Sequence, residues 1–194
     1  YLPRERAGRL PVIINIHGGG WVYGSKEVYQ FYGMSLAQRG FAVVNFNYRL
    51  APASKFPAPI EDTNRVIHWV QQQAGEYPFD LQHIFLVGDS AGANTAAAYA
   101  CLCTNPDYAR IFPFQPPAGF IPTAVGLNCG VYHPASAASL NKGFTALLKD
   151  YLGRLYPDGM DLMDVTRHIN NAFPPTSLVT ADYDFVKPQA PILA

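Results

Sequence analysis

A serine with a glycine two positions away on either side, Gly88-Asp89-Ser90-Ala91-Gly92, joins the apolar run Ile84–Val87 to an alanine-rich stretch from about Ala91 to Cys103. Strand, sharp glycine turn and helix, in that order, lift a serine hydroxyl out of a sheet as a nucleophile. Side chains at positions 88 and 92 would collide with the neighbouring strand and helix, hence the glycines. The start of the following helix offers free amides and a positive dipole end to a developing oxyanion. The chemistry expected is acyl transfer, with Ser90 attacking a carbonyl and the amide of Ala91 donating to the oxyanion. A second set of donors is expected from His17-Gly18-Gly19-Gly20-Trp21, where consecutive glycines leave amides unshielded. A flexible turn or a phosphate nest is the other use of such a run. No Gly-x-Gly-x-x-Gly spacing and no P-loop lysine accompanies it.

A serine needs a base, and the base needs a carboxylate to orient it. Asp182 and Asp184 both follow the apolar run Thr176–Thr180, where the acid is expected past a late strand. Their alternative use is to cap a helix. The histidines are His17, His68, His83, His133 and His168, and the chain order Ser, acid, His leaves none after Asp184. His17 belongs to the glycine turn and is expected to brace it. His68 in a helix beside Trp69, and His83 at the start of a strand, read as structural. His133 and His168 are the other candidates for the base.

These residues need a scaffold. Val12–Ile16, Phe41–Phe46, His83–Val87, Thr123–Asn128 and Thr176–Thr180 read as strands. Helices are expected over about 26–39, closed by Gly40, and over 60–73, with Glu61 and Asp62 suited to its first turn. Alternation of strands with helices of that length predicts βαβ units and a parallel sheet, with ligands at the carboxyl ends of the strands. Residues 107–122, rich in Pro and Phe, read as a long loop. Residues 134–172 have helical periodicity around Phe144–Leu148 and are too long for an ordinary connection, so an insertion roofing the strand ends is expected.

The chain has 194 residues, 49% of them hydrophobic, enough for one domain with a substantial core. Lys+Arg and Asp+Glu both number 14, a balance that argues against nucleic acid or an anionic membrane as partner. The low charge, 17 prolines and many aromatics predict apolar surface, used for a substrate pocket or a homo-oligomer contact. No apolar run approaches the ~20 residues of a membrane span. Cys101, Cys103 and Cys129 are odd in number and lack framework spacing, which points to a reducing, cytoplasmic setting. Alternate residues of a helix do not face one another, so Cys101 and Cys103 read as small hydrophobes rather than a metal pair.

Four motifs together resemble the hormone-sensitive-lipase-like family of α/β-hydrolase esterases. They are His17-Gly18-Gly19-Gly20-Trp21, Tyr48-Arg49-Leu50-Ala51-Pro52 with Phe56-Pro57-Ala58 and Glu61-Asp62, Gly88–Asn94, and Thr180-Ala181-Asp182-Tyr183-Asp184. The resemblance implies a single α/β-hydrolase domain over 1–194, a mostly parallel doubly wound sheet, and a helical cap inserted at about 134–172. It implies Ser90 as nucleophile, Asp184 rather than Asp182 as acid, and the amides of Gly19, Ala91 and Gly20 (before Gly18) as oxyanion hole. Arg49 with Glu61 and Asp62 would form a buried ion pair. The activity implied is hydrolysis of short-acyl esters of small molecules, without metal or cofactor. The family has further chain before the glycine turn and a final strand and helix bearing the catalytic histidine. The sequence is therefore expected to be the middle of a longer protein, with its base beyond residue 194. A ligand-binding protein on the same scaffold, as in plant gibberellin receptors that resemble the family and have lost the histidine, is one alternative. A peptidase of related fold is the other.

Overall fold

Val12, Ile14 and Ile16 alternate with Ile13 along one strand, and both sets are buried, so β1 (Leu10–Ile16) has protein against each face. That is the pattern of a parallel strand, whose sheet is covered by helices on both sides. The other strands are β2 (Ala42–Phe46), β3 (Phe79–Asp89), β4 (Ala124–Asn128) and β5 (Thr176–Val179). The computed structural model, which describes residues 1–5 and 7–194, pairs all of them in parallel in the order β2-β1-β3-β4-β5.

The period of two along each strand divides the core. Val12, Ile14, Ile16, Ile84, Leu86, Val125 and Leu127 join the large cluster that includes Ile60, Ile67 and Val70 of α2 (Ala58–Gln72). Ile13 and Val43 point the other way, with Phe85 and Val87, and pack under Ala37 of α1 (Gln30–Ala37). Between β3 and β4 lies α3 (Ala91–Thr104), whose alanines at 93, 96, 97, 98 and 100 are all fully buried. Alanine has the highest helix propensity and a minimal side chain, so α3 can be enclosed on every side without crowding its neighbours.

Sheet order and chain order disagree at one place. From β1 the chain goes to β2 on one side, then crosses back to β3 on the other, so the loops leaving β1 and β3 diverge from adjacent strands. Ile16, the last residue of β1, is paired with Gly88 near the end of β3. A crevice at such a reversal is where open α/β sheets hold ligands. Both glycine turns read from the sequence follow these two strands at their carboxyl ends.

The helical part of residues 134–172 consists of α5 (Pro134–Leu140), α6 (Lys142–Leu152) and α7 (Met160–Met163), with 3₁₀ turns at Gly153–Leu155 and Val165–Arg167. Trp21 stacks on Tyr151 of α6, ring centroids 4.7 Å apart, so this segment packs directly on the glycine turn. The chain closes with a 3₁₀ turn at Lys187–Gln189 and α8 (Ala190–Leu193). Among the described residues no helix is long and apolar enough to cross a membrane.

Four expectations need correction. β3 begins at Phe79 rather than His83, because Phe79 and Asp80 pair with Leu10 and Pro11 ahead of a register shift between Pro11 and Val12. The helix expected over 26–39 is a 3₁₀ turn, Lys26–Tyr29, followed by α1. The loop expected at 107–122 starts inside a short helix, α4 (Pro106–Ala109), whose N-terminal amides Asp107 N and Tyr108 N are capped by the Asn105 side chain. The ion pair at Arg49 is not buried: its Nη2 lies 2.6 Å from Glu61 and 2.9 Å from Asp62, yet the arginine side chain is 43% exposed. Arg49 reaches the first turn of α2 from the solvent side, where its charge keeps the hydration that burial would remove.

Candidate active site

The turn at the end of β3 is strained. Ser90 has φ 53° and ψ −115°, a backbone conformation that non-glycine residues rarely adopt. Three hydrogen bonds hold it there: Ser90 N donates to Asn128 O at 2.9 Å, and Ser90 O accepts from Ala93 N at 3.1 Å and Asn94 N at 3.2 Å. Glycine is required on both sides. A Cβ at Gly88 would strike the Gly92 carbonyl, and one at Gly92 would strike the carbonyls of Ile16 and His17. The close approach at Gly92 brings the start of α3 against the exit of β1.

At that exit Gly19 and Gly20 take φ values of 124° and 56°, and Trp21 continues at 62°. Gly19 O closes the turn by accepting from Val22 N (3.1 Å) and Tyr23 N (3.0 Å). Trp21 is held by its stacking and by a 3.3 Å bond from Nε1 to Thr95 Oγ1 of α3. Gly18 N donates to the Tyr29 hydroxyl at 3.3 Å. That amide is therefore occupied, and Leu147 of α6 lies against Gly20.

His17 braces this turn. Its Nδ1 donates to Gly18 O at 2.8 Å, and its ring stacks on Tyr48 with centroids 4.1 Å apart. The Tyr48 hydroxyl donates to His17 O at 3.0 Å. Burial, the largest effect, pulls the imidazole pKa below its ordinary value, so the ring stays neutral. Its Nε2 is buried with no hydrogen-bond partner among the described residues.

Beyond β5 the two aspartates part company. Asp182 faces solvent and bonds Lys187 Nζ at 2.7 Å, with its side chain 86% exposed. Asp184 is half-buried; its Oδ1 accepts from Val186 N at 3.1 Å. It faces Cys129, whose thiol is pushed up to about 11, first by burial and then by the Asp184 carboxylate. Cys129 follows β4 with φ 48°, and its amide donates to Val179 O of β5 at 2.8 Å. Gln189 locks the Asp184 loop to the chain after β4: its Oε1 accepts from Tyr132 N (3.0 Å) and His133 N (2.8 Å), and its Nε2 donates to Ser136 Oγ (2.7 Å).

The remaining histidines have other surroundings. His133 Nδ1 caps α5 by accepting from Ser136 N at 3.1 Å, with Nε2 3.6 Å from Asp164 Oδ2. His168 stacks on Tyr108, and His83 is paired with Asp80 at 2.7 Å on the exposed face of β3. His68 lies half-buried on α2. Sequence reasoning missed Tyr29, Cys129 and Gln189, each of which matters through partners distant in the chain. Cys129, immediately after a strand that ends beside the Ser90 turn, had a detectable position; Tyr29 and Gln189 carried no motif.

The family model described as BD-FAE matches residues 1–189. Carboxylesterase NlhH of Mycobacterium tuberculosis is 38% identical over 106 residues, 54% of this chain and 33% of that protein. Esterase LipQ of the same species is 28% identical over 190 residues, 94% of this chain and 44% of that protein. Among solved structures, Esterase B from Lactobacillus Rhamnosis superposes with a TM-score of 0.88 at 28% identity, covering 98% of this chain and 61% of that one. Esterase B has also been solved inhibited with a tributyrin phosphonate, matching with a TM-score of 0.87 at 29% identity over 98% of this chain and 61% of that one. The chain thus spans a third to about three fifths of the length of these relatives.

Proposed function

We propose, from the premise that this chain belongs to the BD-FAE family and is an α/β-hydrolase of the hormone-sensitive-lipase-like esterase type, that it hydrolyses short-acyl carboxylic esters of small molecules. In this reading Ser90 Oγ attacks the ester carbonyl as a base takes its proton. The carbonyl oxygen becomes an oxyanion bound by the amides of Gly19, Gly20 and Ala91. The C–O bond to the alcohol then breaks, the alcohol leaves with the proton, and water releases the acid from the acyl-enzyme. Asp184 is the carboxylate that orients the base. The helical segment 134–172 acts as the cap over the pocket, and three free thiols favour a reducing, cytoplasmic setting.

The observation that carries the proposal is the pairing of Ile16 with Gly88, because it sets a strained serine beside a triglycine turn at the reversal of the sheet. The engagement of Gly18 N by Tyr29 supports Gly19 and Gly20 as the donors from that turn. No observation favours the binding-protein or peptidase alternatives, and the relatives bear esterase names. The test is hydrolysis of p-nitrophenyl acetate and butyrate by the full-length protein. Ser90→Ala is expected to lower kcat by about 10⁴-fold or more. Turnover that survives the substitution would refute the assignment.

A further inference from the structure

Tyr29 ends the 3₁₀ turn between the glycine loop and α1. Its hydroxyl donates to Asp89 Oδ2 at 2.7 Å and accepts from Gly18 N at 3.3 Å. Asp89 is the last residue of β3 and immediately precedes Ser90; Gly18 follows β1 and immediately precedes Gly19. The backbone of Tyr29 is itself fixed, because Asn45 Nδ2 of β2 donates to Tyr29 O at 3.2 Å. Lys26 N donates to Asn47 Oδ1 at 2.7 Å and holds the start of the same turn. A Cβ at Gly18 would strike Asp89 Oδ2, so glycine there is what allows the three groups to close up.

We infer that Tyr29 is a positioning residue whose hydroxyl holds the oxyanion turn in register with the Ser90 elbow, through Gly18 on one side and Asp89 on the other. The inference rests on the proposed roles of Ser90 and of the Gly19, Gly20 and Ala91 amides. Those amides come from two separate strand exits, and oxyanion donors must lie about 2.7–3.1 Å from the developing charge. A misplacement of about 1 Å costs on the order of 100-fold in rate. Tyr29 supplies the link between the two exits. Burial, with the adjacent Asp89 carboxylate, pushes its phenol pKa far above the ordinary tyrosine value, so the hydroxyl stays a donor at working pH.

The test uses Tyr29→Phe in the full-length protein, which keeps the ring and removes the hydroxyl. With a p-nitrophenyl ester, kcat is expected to fall about tenfold or more while KM moves by less than about threefold. The inhibition constant of a trifluoromethyl ketone, which forms an oxyanion on the attacking serine, is expected to rise in step with the loss of kcat/KM. A lowered melting temperature with unchanged kcat would mean a structural role only and overturn the inference. If Tyr29→Phe does not fold, Asp89→Asn and Asp89→Ala carry the test. The first keeps an acceptor for the hydroxyl and is expected to retain the higher kcat; equal values overturn the inference. A parent protein without esterase activity, or with activity that survives Ser90→Ala, fails the functional reading and takes this inference with it. Activity that needs Ser90 but not the Tyr29 hydroxyl fails the inference alone.

Discussion

Three non-glycine residues among those described take positive φ, Trp21, Ser90 and Cys129, and each lies just past the carboxyl end of β1, β3 or β4. Such conformations cost on the order of 1–3 kcal/mol each and persist where surrounding bonds over-determine them. All three lie at the carboxyl-end side of the sheet, where the proposed nucleophile Ser90 also sits. His17 lies there too, and its burial makes a pH prediction. The folded-state pKa is depressed, so the folded protein binds fewer protons than the unfolded chain once the pH drops below about 6.5. The stability that His17 contributes is therefore complete above that value and drains away as the pH falls through the folded pKa. Urea unfolding at pH 5 and pH 7.5 is expected to show a smaller pH effect in His17→Gln than in the parent. An identical pH effect in both would refute the neutral, buried imidazole. The Ser90 turn and the triglycine run could be picked out from spacing because each is a short local pattern, whereas the choice of Asp184 over Asp182 came from the family resemblance. Tyr29 could not be, since its hydroxyl partners lie 11 and 60 positions away.

Elements here are tied by side chains as much as by strand ladders. Asn94 in the first turn of α3 donates to Val131 O at 2.8 Å and to Met163 O at 2.9 Å, so one amide holds both the exit of β4 and α7. Asn94 is buried, and its removal leaves two carbonyls without a donor. Asn94→Ala is expected to destabilise the protein by about 2–4 kcal/mol in urea unfolding, with faster amide exchange around residues 160–165. A loss below about 0.5 kcal/mol would contradict that role. The strands were readable where they are apolar on both faces, as in β1 and β4. The first half of β3 carries Asp80, Gln82 and His83, whose polarity hid a strand that pairs with residues 10 and 11. α4 was hidden among prolines and phenylalanines because its start depends on an Asn105 cap rather than on periodicity. The depth of the Arg49 ion pair was misjudged for a related reason: residue types specify that charges pair, while only packing specifies how much water they keep.

At the scale of the molecule, one topological event assembles the site. The chain leaves β1 toward β2 and returns past β1 to β3, so the chain leaves the two neighbouring strands in opposite directions and the His17–Trp21 turn comes beside Ser90. β4 and β5 extend the sheet on the same side and carry Cys129 and Asp184 to the same edge, with Gln189 pinning the last loop. α6 closes over the glycine turn through Tyr151 and Leu147. Alternation of strands and helices made the parallel sheet readable, and the family resemblance supplied the expected roles; the order of strands and the side-chain ties between strand ends depend on contacts distant in the chain and left no local pattern. The central claim is that Ser90 is the nucleophile, and the most direct measurement is mass spectrometry of the full-length protein after treatment with a p-nitrophenyl alkylphosphonate. One phosphonyl group per chain is expected, on Ser90, with stoichiometric release of p-nitrophenol, loss of esterase activity, and no labelling of Ser90→Ala. A protein that hydrolyses esters yet is labelled at another residue, or not at all, would contradict it.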